Sequence, residues 1–340
     1  MSPRFGIRLP ACHPVDQVAR AARRAEELGF DQAWVPDSQL LWRDPFSTLT
    51  AMALGTDRLR IGTAVTNVET RHPSVVASAA RTVAELAPGR FVLGVGVGNS
   101  AVEPIGLRST TQAALRERLA QVTGLLAGEP VDFGPVSSRL RDPGPAVPVY
   151  LAASGPKNLR LAGELADGVI LLSGVSPATL ASSVEQVREG AALGGRSLSD
   201  LDIVVSSYCH VTDDVERDAR MLKPICAGIA QKGGGPFLAM AGIEVDVPPV
   251  VDGLYPDTVH AEDWDEAVRV CGQWVTDEMA VRFAQAFCLF GTPEEISRRI
   301  GEVTAAGATS IFLQHVGSYE LPYELMESFA DTVLAPAGAR

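Results

Sequence analysis

Residues 60–73 read "RIGTAVTNVETRHP". A run of small and β-branched residues passes without a break into Thr66, Asn67, Arg71, His72 and Pro73. A strand that only fills a core ends in turn chemistry. This one ends in hydrogen-bonding groups, at the place where (β/α)8 barrels build their sites.

Outward from that strand, short apolar runs alternate with amphipathic helical stretches. "FGIRL" is the first strand, followed by the helix "VDQVARAARRAEELGF", which Gly29 ends. "DQAWVPD" and "RLRIGTAVT" are the second and third strands, with "PFSTLTAMALGT" as a helix between them and "SVVASAARTVAELAPG" as a helix after the third. "FVLGVGVG" is the fourth strand, with a helix from about Thr110 to Leu126. After a Pro-rich connection come "VPVYLAAS", "GVILLSG" and "DIVVSSYCHV", and near the end "SIFLQHV". Eight strands that are mostly apolar on both faces and alternate with helices imply a parallel sheet covered all round, hence an α/β chain folded as a (β/α)8 TIM barrel. Residues 1–340 are expected to form one barrel domain. The gap before the eighth strand is too long for one helix, which implies a helical insertion at about 213–287, between strands 7 and 8. Its centre, "QKGGGPFLAMAGIEVDVPPVVDG", reads equally as a loop or lid between helices and as a plain surface connection.

The composition, 46% hydrophobic and 21% charged, supplies material for a large core. The formal net charge of -12, with no basic stripe, argues against nucleic acid or an anionic membrane as partner. Cys12, Cys209, Cys226, Cys271 and Cys288 are scattered, without CxxC pairs or histidines at ligand spacing, so no metal is expected and reduced thiols in the cytoplasm are. No secretory signal is read at the start of the sequence and no run reaches the length of a membrane span.

The strand ends offer Arg8, Asp37, Ser38, Thr63 to Asn67, Gly94 to Asn99, Ala153 to Lys157, Ser173, Gly174, Tyr208 to His210, Gln314 and His315. Asp37 reads equally as a helix cap or a ligand contact. His210 and His315 read as hydrogen-bonded wall residues rather than bases. The glycines of "LGVGVGNS" sit inside a strand, not at the opening of a helix, so they do not make a dinucleotide fingerprint. Their alternation clears one face for another backbone or for a planar ring, and a flat cofactor suits it. In "AASGPKNLRLAGELADGV" a strand end at Ser154, a Gly155-Pro156 turn and Lys157 at a helix start bring a hydroxyl, free N–H groups and a cation together, either as a phosphate cradle or as an ordinary capped turn.

Five blocks carry a family likeness: "FGIRLP", "AWVPDSQLLWRDPFSTLTAMAL" with "RIGTAVTNVETRHP", "GRFVLGVGVGN", "AASGPKNLRLAGELADGVILLSG" and "FGTPEEISRRIGEVTAAGATSIFLQHVG". On these the chain resembles the bacterial-luciferase-like superfamily of flavin and deazaflavin oxidoreductases, and within it the methylenetetrahydromethanopterin reductases. The resemblance implies an inserted (β/α)8 barrel, a homodimer, and the deazaflavin coenzyme F420 lying across the strand ends, where it exchanges a hydride with a small organic substrate. It implies a bulged third strand with a non-prolyl cis peptide at Ala64-Val65 behind the cofactor ring. It assigns Asp37, Ala64, Val65 and Asn67 to the ring and its hydroxyalkyl chain, Ser154, Gly155, Pro156 and Lys157 to the phosphate, and Leu172 and Ser173 beside them. Arg8 and Asp37 face the substrate in this reading. Two departures stand out: Ser38 where deazaflavin members often have histidine, and Arg8 where the methanopterin reductases have an acidic residue. Because a guanidinium repels a cationic intermediate and holds anions, Arg8 implies an anionic or carbonyl-bearing acceptor. The alternatives are an FMN-dependent monooxygenase using O2, and a cofactor-free binding relative on the same fold.

Overall fold

The structure, a computed structural model, describes residues 2–335. Eight parallel strands form the barrel: β1 (Arg4–Arg8), β2 (Gln32–Val35), β3 (Arg60–Thr63), β4 (Phe91–Gly96), β5 (Val149–Ala153), β6 (Gly168–Leu171), β7 (Asp202–Val211) and β8 (Ser310–Gln314). Each pairs with the next in order. β8 pairs with β1 through Arg4↔Ser310 to Ile7↔Leu313, which closes the ring and leaves these strands no free edge.

Trp34, Val92, Tyr150, Ile170, Val204 and Phe312 fill the barrel. Trp34 fits because its neighbours lack side chains: a Cβ on Gly6 or Gly62 would come within 2.6 or 2.7 Å of the indole or the adjoining backbone. The N-terminal mouth is closed by polar groups. Arg4 Nη2 lies 2.5 Å from Asp202, Arg60 lies 3.5 Å from it, and the Tyr150 hydroxyl donates to it. Burial pushes the Asp202 carboxyl upward, but the Tyr150 hydrogen bond and the two arginines outweigh it and hold it below the usual range. A carboxyl depressed on folding stabilises the protein above its unfolded pKa of about 3.9, and that contribution is lost as pH falls through the lower, folded pKa. Asp202→Asn is therefore expected to flatten the fall of Tm below about pH 4, which melts of both proteins across pH 3–6 would show.

Between β7 and β8 the chain forms the helices Val215–Asp218, Lys223–Gln231, Gly235–Ala239, Trp264–Cys271 and Asp277–Phe287. They enclose a second apolar cluster that includes Leu222, Ile225, Leu238, Val270 and Phe283. The expected insertion is thus helical and has its own core. Two features differ from the sequence reading. The Pro-rich connection carries a hairpin, Val131–Phe133 with Val136–Ser138, whose strands are too short for a period to register. A strand Leu289–Gly291 also extends the sheet, pairing with the far end of β7 at Cys209 to Val211.

Candidate active site

The third strand stops at Thr63 and resumes as Thr66–Asn67, the interruption that the family likeness implied. Gly62 pairs with Val92 and Thr66 with Val95, so four steps along one strand face three along the other, which is a β-bulge. Within it the Ala64-Val65 peptide is cis, as the family likeness implied. Thr63 bridges the interrupted ladder: its Oγ1 donates to the Gly94 carbonyl at 2.7 Å and accepts from the Gly94 N–H at 2.9 Å. The glycines of β4 answer to this bulge. A Cβ on Gly94 would lie 2.1 Å from the Thr63 carbonyl oxygen, and one on Gly96 would lie 2.6 Å from Val65 Cγ2. The space they leave is thus filled by the β3 backbone and Val65: of the two occupants read from the sequence, another backbone or a planar ring, the backbone takes the place.

Above the bulge, at the C-terminal strand ends, lies a cavity of about 260 Å³ lined on one side by Asp37, Ala64, Val65, Asn67, Gly96 and Leu172. Asp37 has no solvent exposure in its side chain, and its Oδ2 accepts from Thr66 Oγ1 at 2.7 Å and from Arg71 Nη1. Burial raises the Asp37 pKa and wins over the opposing Arg71 charge and the Thr66 hydrogen bond. Asn67 Oδ1 accepts from the N–H groups of Glu69 and Thr70 at 3.0 and 2.8 Å, which fixes the side chain. Among the described residues Asp37 Oδ1 and Asn67 Nδ2 remain buried with no partner. Buried polar atoms are as a rule hydrogen-bonded. Here a vacant acceptor and a vacant donor share the lining of one cavity.

The other side is built by β1, β7, β8 and the insertion. Arg8 is 7% exposed, its Nη1 donates to the Gly317 carbonyl at 3.2 Å, and its guanidinium lies 5.2 Å from the Trp42 ring centre. Trp42 is held by its Nε1 donating to Ser318 at 2.8 Å. Ile225, Val259 and His260 close the wall from the insertion, and Tyr208 and Gln314 line it from the barrel. Among the described residues of the lining Arg8 is the one cation apart from histidine. Beside it, both His315 ring nitrogens are buried without partners, and burial, then the Arg8 charge, lowers its pKa to about 3. His315 is therefore neutral; the Glu320 backbone opposes the shift from a position short of good hydrogen-bond geometry. His210 lies 3.4 Å from Asp218 in a separate hollow.

Of the sequence-predicted site residues, Arg8, Asp37, Ala64, Val65, Asn67 and Leu172 share the cavity. Ser154, Gly155, Pro156 and Lys157 are exposed beyond the end of β5, outside the lining, where the helix Pro156–Leu165 starts with no side-chain cap. Ser173 is buried with its hydroxyl unpartnered, also outside the lining. Sequence reasoning missed Trp42, Ile225, Val259 and His260. Ser38, by contrast, was on the list of strand ends, and its hydroxyl meets that of Ser100 at 2.5 Å.

A family model described as Luciferase-like monooxygenase matches residues 2–310. The 5,10-methylenetetrahydromethanopterin reductase of Methanolobus tindarius is 31% identical over 90% of this chain and 92% of its own length. An F420-dependent glucose-6-phosphate dehydrogenase of Mycolicibacterium fortuitum is 32% identical over 76% of this chain and 84% of its own. Among solved structures, the coenzyme F420-dependent tetrahydromethanopterin reductase of Methanopyrus kandleri superposes with a TM-score of 0.75 at 24% identity, covering 99% of each chain, a likeness of fold.

Proposed function

The chain belongs to the luciferase-like monooxygenase family, and from that premise we propose that it transfers a hydride between coenzyme F420 and a small organic substrate at the C-terminal face of its barrel. The observation that carries this is the pairing of a buried acceptor, Asp37 Oδ1, with a buried donor, Asn67 Nδ2, both unsatisfied on the wall of one cavity above the bulge. A polar heterocycle with donors and acceptors on its edge suits such a wall. The Mycolicibacterium relative, named as F420-dependent, favours a deazaflavin among such heterocycles.

In this reading Asp37 and Asn67 would hold the polar edge of the ring and its chain, with Ala64, Val65, Leu172 and Ser173 as its further contacts. Ser154, Gly155, Pro156 and Lys157 take the phosphate at the uncapped helix start. The bound, reduced coenzyme supplies the hydride, so the protein needs no covalent catalyst. The protein's part is alignment and dryness: Asn67 is fixed by its own backbone contacts, while Trp42, Ile225 and Val259 cover the reacting space. The second reading, FMN with O2, has the description of the matching family in its favour.

Separate titrations with F420 and FMN, followed by absorbance and fluorescence, decide between them. Tight F420 and weak FMN binding is expected. Tighter FMN binding with O2 uptake would establish the second reading, and binding of neither would leave a cofactor-free relative. A homodimer in the cytoplasm belongs to the same proposal, and sedimentation tests the first part. Lys157→Ala removes a charge-assisted contact of ~1.5–3 kcal/mol, so F420 affinity is expected to fall about ten- to a hundred-fold. Unchanged affinity would place the phosphate elsewhere.

A further inference from the structure

Among the described residues Arg8 is a buried cation without an anion. Among the described residues no carboxylate pairs with it, and its one hydrogen bond within the protein runs from Nη1 to the Gly317 carbonyl. Burial pulls its pKa down, but an arginine begins so high that it keeps its charge. An isolated buried charge is costly, and proteins as a rule pair theirs. The remaining surroundings are the Trp42 face, the uncharged ring of His315, the Tyr208 phenol and the Cys12 thiol, both of which burial holds in the neutral form. None of these supplies the missing negative charge.

The placement says what does. The residues proposed for the cofactor lie at the ends of β2, β3, β5 and β6, whereas Arg8, Tyr208 and Gln314 stand at the ends of β1, β7 and β8. Arg8 therefore addresses the part of the cavity left to the second reactant. Its Nε and Nη2 make no hydrogen bond among the described residues, and that edge of a guanidinium receives a carboxylate through two parallel hydrogen bonds. A phosphate dianion would call for more positive charge than one arginine, and no lysine or second arginine lines the cavity among the described residues.

Resting on the hydride-transfer reading, we infer that the substrate is a small organic acid whose carboxylate is held by Arg8 between β8 and Trp42. The inference separates this chain in chemistry from the methanopterin reductases it is similar to, because a guanidinium in this place disfavours the cationic form of a methylene-bridged pterin.

The test uses matched pairs that differ only in charge: pyruvate and crotonate against their methyl esters. Each is assayed as an acceptor for reduced F420, taking one hydride and one proton from solvent, and each acid is also titrated calorimetrically into the cofactor-free and the F420-loaded protein. The acids are expected to surpass the esters at least about tenfold in kcat/KM or in affinity. Arg8→Gln should weaken acid binding about ten- to a hundred-fold while F420 affinity stays within about two-fold, and Arg8→Lys, which keeps the charge, should recover part of the loss. Native-like F420 affinity in both variants shows that they fold.

Esters that bind as well as acids would overturn the inference. So would Arg8→Gln weakening F420 itself as much as the acids, which would assign Arg8 to the cofactor. Rapid turnover of methylenetetrahydromethanopterin by the native protein, lost in Arg8→Glu, would overturn it as well. Failure of the hydride-transfer reading looks different: F420 does not bind at all, yet calorimetry on the cofactor-free protein still reports whether carboxylates bind and whether Arg8→Gln abolishes it.

Discussion

Gly94→Ala is expected to cost the fold about 3 kcal/mol and to remove most of the affinity for F420, about a hundred-fold or more. The new Cβ would stand 2.1 Å from the Thr63 carbonyl oxygen, 3.2 Å from the Thr63 carbonyl carbon and 3.3 Å from Val65 Cγ1. Two of these neighbours are backbone atoms, so no rotamer change relieves the contact. Thr63 is in addition tied to Gly94 by the reciprocal bonds of its hydroxyl, and a shift large enough to admit the methyl group breaks both. The segment that has to move carries Ala64 and Val65, the wall on which the cofactor is proposed to rest. Stability and binding are therefore lost together. Gly301→Ala is the control for the chemistry of the change itself, because a Cβ there meets nothing within 4 Å and the residue sits on the helix Pro293–Ala305, outside the cavity lining. Thermal melts and F420 titrations of both variants provide the check. A Gly94→Ala protein with native Tm and affinity would show that the bulge does not shape the site.

The same residues show how far the sequence could be read. Period and turn chemistry located all eight barrel strands, because a strand covered on both faces must be apolar along its length. The hairpin at Val131–Ser138 escaped, since three residues carry no period, and its Gly134-Pro135 turn sits in a stretch already rich in proline. The glycines of β4 were located correctly but left with two possible neighbours, a backbone or a ring: alternation tells that one face is bare, and only the register of β3 tells that a bulge fills it.

At the site, the rule that barrels work at their strand ends found Arg8, Asp37 and Asn67, because strand ends are local features. It could not find Ile225, Val259 and His260. These come from the insertion, and what brings them over the barrel is tertiary contact, such as Tyr319 donating to the His260 carbonyl at 3.0 Å. Arg71 lay in the stretch that decided the fold, yet its role as partner of Asp37 depends on β2 and β3 being neighbours, which a list of strand ends does not reveal.

Asp37→Asn is expected to weaken F420 binding about ten- to a hundred-fold without lowering Tm at neutral pH. The reasoning starts from the raised pKa. Burial disfavours the Asp37 carboxylate more than Arg71 and Thr66 favour it, so the folded protein holds this proton more readily than the unfolded chain does. Where a group's pKa is higher in the folded state, the unfolded state binds fewer protons in the window between the two values, and stability falls as pH rises through it. The ionised carboxylate at neutral pH is therefore a burden on the fold, and asparagine, of the same shape and without the charge, relieves it. Arg71 is not stranded by the change, because its Nη2 keeps Asp44 at 2.8 Å. The loss falls on the vacant oxygen, Oδ1: the one oxygen of asparagine stays with the donors Thr66 and Arg71, so an NH2 group replaces the free acceptor and a ligand N–H or O–H meets a donor instead. Asp37→Ala separates the two effects: it also deletes the acceptor of Thr66 and Arg71 in a site closed to water, and is expected to cost about 3 kcal/mol of stability besides the affinity. Melting curves from pH 4 to 8 should show Asp37→Asn gaining on the native protein as pH rises. If both lose Tm alike and Asp37→Asn binds F420 as the native protein does, the carboxylate serves the fold, and the proposed place of the cofactor against β2 is wrong.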